Sequence, residues 1–251
     1  MSNWMEDLLD ASKASTFVDQ GSEVWEQLRA GRFTSSEIHN IMICGKRDMT
    51  KAELAARPKK GPGSSTTKIA DPSQMGPKGL TYINQKVAEV LTGRPKPSSY
   101  AYPLVYGKET EPEAVEWFER VTGLKTESIG FQTWGEHAGG SPDRILENGL
   151  EGLEVKCPFQ SENQIDYLLL TDVYDVKANY PEYYWQVVSL MLFCDKKRWH
   201  FCTYDPRMIQ DKHKLTHIIF EYDKVHEDMD LIFTALESAI KLKLEMINRL
   251  A

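Results

Sequence analysis

Cysteine is scarce in this chain, since four residues are spread over 251 positions and none of them forms a Cys-x-x-Cys pair. This spacing gives little support to a zinc or iron–sulfur site and favours reduced, buried thiols. A glycine-rich phosphate loop, a nucleophile elbow and a His-Glu-x-x-His motif are also missing, and the six histidines show no ligand spacing. No apolar run approaches the ~20 residues that cross a bilayer, so we expect no membrane association.

Positive charge is in deficit as well. The chain has 30 Lys and Arg against 37 Asp and Glu, which gives a net charge of −7. This balance argues against a protein coated in basic surface for nucleic acid. It is compatible with a nuclease in which clustered acids hold metal and an acidic exterior surrounds a basic channel. The N-terminus is acidic and lacks the basic region of a secretory signal, so we expect a cytoplasmic protein.

The most informative stretch runs from residue 141 to residue 158 and reads as two short strands around an Asn-Gly turn. Residues two apart on a strand share a face, so Glu154 and Lys156 project together. Folding the hairpin back brings Asp143, at the start of the first strand, near Glu154. Two carboxylates and one ammonium group in one small space suit a divalent metal and a metal-activated water. The same pattern also fits a surface hairpin with a Glu–Lys pair on its solvent-exposed face.

A third carboxylate lies in a predicted helix. Thr110 and Glu113 form a Thr-x-x-Glu capping box with Pro112 in the first turn, so we expect the helix to begin there. Glu111 then either complements the helix dipole or adds a carboxylate to the metal site.

A lone amide, Gln186, lies in the middle of a helix predicted to start at Pro181 and to be apolar nearly all round. A buried glutamine needs hydrogen-bond partners. We therefore expect it to bind either the backbone or the site carboxylates, a water or a substrate phosphate.

Hydroxyl groups and arginines cluster between two predicted helices near the N-terminus. Ser22 is the expected N-cap of the first helix and Thr34 or Ser35 that of the second, with Arg29 and Ser36 close by. Hydroxyls and backbone N–H groups at a helix start, beside an arginine, form an anion site. Ordinary capping with solvated arginines is the alternative.

Residues 45–78 are rich in Gly, Pro, Ser and Lys and form the basic part of an acidic chain. Their composition predicts a flexible loop around 57–78 within a single nuclease domain spanning residues 1–251. The loop is either a linker or a contact to a polyanion.

Four collinear blocks, covering about residues 20–210, resemble the lambda-type phage exonucleases of the PD-(D/E)xK nuclease superfamily. The blocks are W-E-Q-L-R-A-G-R-F-T-S-S-E-I-H-N, Y-G-K-E-T-E-P-E-A, S-P-D-R followed by L-E-V-K-C-P-F, and Y-D-P-R-M. The resemblance implies an α/β (α+β) fold with a restriction-endonuclease-like core, in which helices flank a central mixed β-sheet.

The resemblance also implies an activity, namely Mg²⁺-dependent removal of mononucleotides from the 5′-ended strand of linear double-stranded DNA. This reaction leaves 3′ single-stranded tails for recombination by strand annealing. By the same resemblance, Asp143, Glu154 and the carbonyl of Val155 bind the first of two Mg²⁺ ions, which Mn²⁺ can replace. Glu111 and Asp143 bind the second ion, and Lys156 positions or deprotonates the attacking water.

Further implications concern DNA ends and partners. Arg29, Ser36 and Ser141 match the family's pocket for the terminal 5′ phosphate, and Gln186 is a supporting residue. The family often forms a ring-shaped homotrimer and acts with a single-strand annealing protein, in a bacterial or phage-infected cell. Arg144 stands where a glycine is common after Ser-Pro-Asp, which predicts a different turn.

Two alternatives share these residues. A sequence- or structure-specific endonuclease can use the same core. A non-catalytic protein that binds DNA ends during recombination would need only a degenerate core, and the intact set of Asp143, Glu154 and Lys156 argues against it.

Overall fold

Strands and helices both occur along the computed structural model, which describes residues 15–16, 21–56, 68–96 and 101–251. The described strands are β1 (Ser15–Thr16), β2 (Phe33–Thr34), β3 (Cys44–Asp48), β4 (Lys68–Met75), β5 (Thr126–Glu127), β6 (Phe131–Trp134), β7 (Ala138–Gly140), β8 (Arg144–Leu146), β9 (Glu151–Lys156), β10 (Arg198–Tyr204) and β11 (Leu215–Glu221). The described α-helices are α1 (Glu23–Arg29), α2 (Lys51–Ala56), α3 (Pro77–Thr92), α4 (Tyr102–Thr122), α5 (Ser161–Leu168), α6 (Val173–Asn179), α7 (Pro181–Cys194) and α8 (Tyr222–Leu250). Short 3₁₀ helices lie at Ser35–Asn40 and Asp211–His213.

The central sheet is mixed, as expected. Its strand order is β11-β10-β9-β8-β5, with β9 and β10 parallel and the other neighbours antiparallel. The parallel pair is joined by the crossover through α5, α6 and α7, which is the connection that parallel strands require. A four-stranded sheet (β1-β6-β7-β2) and the β3-β4 pair complete the described strands.

The predicted hairpin forms from β8 and β9, which pair antiparallel across a turn that contains Gly149 in the left-handed region (φ 67°). Leu153 and Val155 pack against Ala114 and Phe118 of α4. The alternation of the strand then turns Glu154 and Lys156 to the opposite face, toward α7. Both faces of β9 are therefore covered, and this burial positions the carboxylate.

Helix α4 begins well before the capping box that the sequence suggested. It starts at Tyr102 with Pro103 in its first turn, and Pro112 lies inside the helix. The predicted start at Thr110 is therefore wrong, because two prolines offer the same first-turn signal and the upstream one is used. Glu111 consequently projects from the middle of the helix and does not complement a helix start.

The N-terminal helices are partly as predicted. Ser22 caps α1, since its hydroxyl accepts a hydrogen bond from the backbone N–H of Trp25 at 3.2 Å. The second helix is a 3₁₀ helix rather than an α-helix, and Thr34 precedes it without capping through its side chain. The backbone N–H of Thr34 instead donates to the hydroxyl of Tyr82 at 2.9 Å.

The predicted loop around 57–78 lies partly outside the described residues, which omit 57–67. The prediction is wrong for 68–75, because these residues form β4 against β3. The proposal of one domain over 1–251 stays a prediction. No helix of the described residues is long and apolar enough to cross a membrane.

Two stacked histidines join β10 and β11 beneath α4. Nδ1 of His200 lies 2.7 Å from Nε2 of His217, and Nε2 of His200 lies 2.8 Å from a carboxylate oxygen of Glu151. Burial lowers the pKa of His217 to about 4, and the neighbouring His200 acts in the same direction. Burial also lowers the pKa of His200.

This pair predicts a loss of stability in acid. The folded protein holds His217 below its ordinary pKa of 6.5, so the unfolded chain binds more protons between these values. The contribution of the neutral His217 to the free energy of unfolding is fully present above about pH 6.5. It is lost as the pH falls toward 4, because the unfolded chain then gains a proton that the folded protein does not. Urea unfolding from pH 8 to pH 4.5 should show a smaller decline for His217→Gln than for the wild type. An equal decline in both proteins would contradict the assignment.

Candidate active site

The two hairpin carboxylates meet where β8 begins and β9 ends. Asp143 immediately precedes β8, and its Oδ2 accepts a hydrogen bond from the backbone N–H of Val155 at 2.7 Å. This bond brings the Asp143 side chain beside Glu154, as the hairpin predicted. The distance in sequence is short, so the hairpin turn alone supplies most of the geometry.

Glu154 is buried, with 1% of its surface exposed. Its Oε1 accepts hydrogen bonds from Nε2 of Gln186 at 2.6 Å and from Nζ of Lys156. Its Oε2 is buried and has no hydrogen-bond partner among the described residues. An unpaired carboxylate oxygen in the interior is costly. The arrangement therefore leaves one strong acceptor free for a cation, and it shows that Gln186 contacts the site carboxylate.

The pKa values of the site residues also favour a bound cation. Burial and the charge of Asp143 raise the pKa of Glu154 to about 8 and that of Glu111 to about 7. Burial also raises the pKa of Asp143. Burial alone would lower the pKa of Lys156, but the charges of Glu154 and Asp143 raise it above its usual value. Crowded, desolvated carboxylates of this kind favour the approach of positive charge.

Glu111 reaches the site from α4 and contacts an arginine. Its Oε1 lies 3.2 Å from Nη1 of Arg144, which also donates to the backbone carbonyl of Asp143. The sequence marked Arg144 only as a departure from the family's glycine, and its contact with Glu111 was not foreseen.

A cavity of about 990 Å³ opens in front of these residues. Glu111, Asp143 and Lys156 line it, together with Trp25 and Tyr183. The ammonium group of Lys156 lies 5.5 Å from the centre of the Tyr183 ring, so α7 contacts both this lysine and, through Gln186, the Glu154 carboxylate. The volume is in the range of sites that enclose small molecules.

The predicted phosphate pocket is assembled around a tryptophan. Nη2 of Arg29 lies 3.4 Å from the hydroxyl of Ser36, and the guanidinium stacks 4.2 Å above the Trp25 ring. Nε1 of Trp25 donates to the hydroxyl of Ser141 at 2.8 Å. The structure thus brings Arg29, Ser36 and Ser141 together through Trp25, which the sequence reasoning missed. Its signal was the spacing of four residues from Arg29 on one helix face.

Burial lowers the pKa of Arg29, with partial compensation from Tyr82 and then from Glu37, Glu89 and Glu26. A cation that has lost hydration gains from an anionic ligand. Because Trp25 lines the same cavity as Asp143, the pocket adjoins that cavity through the tryptophan side chain.

The Tyr-Asp-Pro-Arg-Met block has a structural role behind this cavity. The Arg207 guanidinium binds both carboxylate oxygens of the fully buried Asp205 at 2.7 and 2.9 Å. It also donates to the carbonyls of Pro158 and Phe159, each at 2.8 Å. This fork holds the loop that follows Lys156.

The residues fit one divalent ion better than two. Asp143 and the free oxygen of Glu154 offer the oxygen ligands that Mg²⁺ prefers. Glu111, expected at a second ion, is already paired with Arg144. Among the residues that the structure describes, no three His, Cys, Asp or Glu side chains form a ready-made metal site.

A mixed sheet with an Asp…Glu-x-Lys hairpin at its strand ends defines the PD-(D/E)xK class of nuclease folds. A family model described as the YqaJ-like viral recombinase domain matches residues 24–197. The chain therefore belongs to this lambda-exonuclease-like family. No curated protein matches the chain.

Solved structures with the same fold are exonucleases. An alkaline exonuclease from Laribacter hongkongensis is 20% identical, with a TM-score of 0.63 over 91% of this chain and 96% of that one. The same enzyme in complex with dAMP aligns with the same values. A phage-related exonuclease from Haemophilus somnus 129PT is 14% identical, with a TM-score of 0.62 over 88% and 96%. Family and fold together support a DNA exonuclease.

The bond between Gln186 and Glu154 predicts a loss of catalysis without a loss of fold. Gln186→Ala removes a donor to the site carboxylate, and such outer contacts are worth about 10- to 100-fold in activity. We expect Mg²⁺-dependent DNA degradation to slow by this factor. The control is Gln164→Ala, which removes another buried amide, bonded to Thr203 at 2.9 Å, and should lower only the midpoint of thermal unfolding. Equal activity loss in both variants would contradict the role of Gln186.

Proposed function

We propose that this protein is a Mg²⁺-dependent exonuclease that degrades the 5′-ended strand of linear double-stranded DNA to mononucleotides and leaves 3′ single-stranded tails. One observation carries the proposal. The cavity that Glu111, Asp143 and Lys156 line is also lined by Trp25, whose indole contacts both Arg29 and Ser141. Groups that can bind a terminal phosphate therefore lie beside the cavity that can receive a phosphodiester, with Trp25 between them.

The carboxylates have the role of metal ligands in this proposal. Asp143, Glu154 and the carbonyl of Val155 would hold the ion, and Gln186 fixes the Glu154 side chain through the bond at 2.6 Å. A bound Mg²⁺ activates a water and neutralises charge on the scissile phosphate. Mn²⁺ satisfies the same oxygen ligands and is expected to substitute.

Lys156 contributes through position. Its ammonium group donates to Glu154 and keeps further N–H groups that face the cavity. These donors can orient the attacking water or a phosphate oxygen, and preorganised donors of this kind stabilise charge that develops in the transition state.

The strand polarity follows from the phosphate pocket. Arg29, Ser36 and Ser141 would hold the terminal 5′ phosphate, and capture of that phosphate sets the register for stepwise release of mononucleotides. The Laribacter hongkongensis enzyme was solved with dAMP, a mononucleotide of the kind that the proposed reaction releases.

The proposal extends to assembly and partners. We infer that the protein forms a ring-shaped homotrimer around DNA and hands its 3′ tails to a single-strand annealing protein, in the cytoplasm of a bacterial or phage-infected cell. The viral recombinase family to which the chain belongs supports this role in recombination. A sequence- or structure-specific endonuclease with the same core is the second candidate, since the carboxylate site by itself does not require a DNA end.

Digestion of linear duplex labelled on either strand tests the proposal. With Mg²⁺, the 5′-ended strand should shorten from its terminus and release mononucleotides, while a covalently closed circle stays intact. Asp143→Asn and Lys156→Ala should abolish the reaction. Cleavage of the closed circle would establish the endonuclease instead, and unchanged activity in both variants would remove the reaction from this site.

The phosphate pocket predicts a selective defect. Arg29→Ala should slow degradation of 5′-phosphorylated ends by about 10- to 100-fold, the worth of one charge-assisted hydrogen bond. Degradation from 5′-hydroxyl ends should change little, because these ends lack the anion. The matched control is Arg32→Ala, since Arg32 donates to the carbonyl of Leu28 rather than to Ser36. An equal loss on both kinds of end would overturn the pocket.

A further inference from the structure

Arg144 occupies the position where a second divalent ion is expected. Its Nη1 lies 3.2 Å from the Glu111 carboxylate and also donates to the backbone carbonyl of Asp143. A carboxylate of Glu111 together with an oxygen of Asp143 is the ligand set assigned to the second ion. A guanidinium therefore already pairs with the Glu111 carboxylate that this ion would use, and it also donates to the backbone of the other ligand residue.

The fold leaves the Arg144 side chain little choice of direction. Arg144 begins β8 and pairs with Leu153 of β9. Leu146, two residues further along β8, packs with Leu153 against α4. Alternate residues of a strand share a face, so Arg144 also faces α4, the helix that carries Glu111. A glycine at this position would leave that space without positive charge.

The charge balance of the site agrees with this arrangement. Three carboxylates, on Glu111, Asp143 and Glu154, converge with two cationic side chains, on Lys156 and Arg144. The Oε2 atom of Glu154 is buried and has no hydrogen-bond partner among the described residues, so it is available to a metal ion. An ion at Glu111 would have to displace the Arg144 guanidinium and would then lie next to its positive charge.

We propose that Arg144 replaces the second metal ion, so that each chain binds one divalent ion through Asp143 and Glu154. The guanidinium is permanently charged and presents several N–H donors in a plane, which suits phosphate oxygens. In the reaction it supplies the second positive charge to the phosphate, and this catalytic role rests on the proposed exonuclease function. The ion count itself is independent of that function.

Manganese binding tests the inference without measuring activity. The protein is bound to a 5′-phosphorylated duplex with nuclease-resistant linkages, because a scissile phosphate completes the coordination of such ions. Mn²⁺ is then titrated by calorimetry, and electron paramagnetic resonance distinguishes an isolated ion from a spin-coupled pair. The wild type should bind one isolated ion per chain. Arg144→Gly should bind two, with a coupled spectrum.

Matched variants separate this effect from damage to the fold. Arg144→Lys keeps the charge and should bind one ion, as should Arg198→Gln, which removes an arginine at the far end of the parallel strand pair. Arg144→Gln replaces the glycine variant if that protein fails to fold. Adding Glu111→Gln to Arg144→Gly should return the count to one, since the second ion then loses its carboxylate.

Two results would overturn the inference: a coupled pair of ions in the wild type, or a single ion in a folded Arg144→Gly and Arg144→Gln. Its fate is distinguishable from that of the proposed function. A wild type that binds one ion but leaves DNA intact would defeat the exonuclease and keep the ion count. A wild type that degrades DNA with two coupled ions would support the exonuclease and overturn the ion count.

Discussion

A buried carboxylate with one unpaired oxygen is the constraint from which the rest of the site follows. Leu153 and Val155 must pack against α4, so the alternation of the strand sends Glu154 to the other covered face. Burying a charge there is costly unless partners compensate it. Gln186 and Lys156 compensate one oxygen, and the other is left for a cation. Apolar packing on one face of the sheet thus places on the other face a buried carboxylate that a positive charge would stabilise.

The hairpin and the approach of Asp143 to Glu154 were predictable because the signals are local. Turn residues, alternation and the spacing of Asp143, Glu154 and Lys156 all lie within one short segment, where sequence order nearly determines geometry. The Ser22 cap behind α1 and the proline at the start of α7 are local signals as well, and these two helices begin where expected. The mixed sheet followed from the family resemblance, and its fold is shared by known exonucleases.

Features that depend on partners distant in the sequence were missed, because the signals that a sequence carries are local. The contact between Trp25 and Ser141 spans 116 residues, and no pattern near Trp25 announces it. The pair formed by Arg144 and Glu111 spans 33 residues, and it depends on which face of β8 meets α4. The start of α4 was predicted wrongly because two prolines signal a first turn equally well, and packing decides between them. The composition of 57–67 still predicts a loop, which lies outside the described residues.

The fork of Asp205 and Arg207 has a consequence for how the chain folds. The bond from Asp143 to Val155 closes a loop of 12 residues, whereas Arg207 reaches Phe159 across 48. Short loops cost less entropy to close and form sooner. The contact that places Asp143 beside Glu154 therefore costs less loop-closure entropy than the contacts of Arg207 with the segment after Lys156.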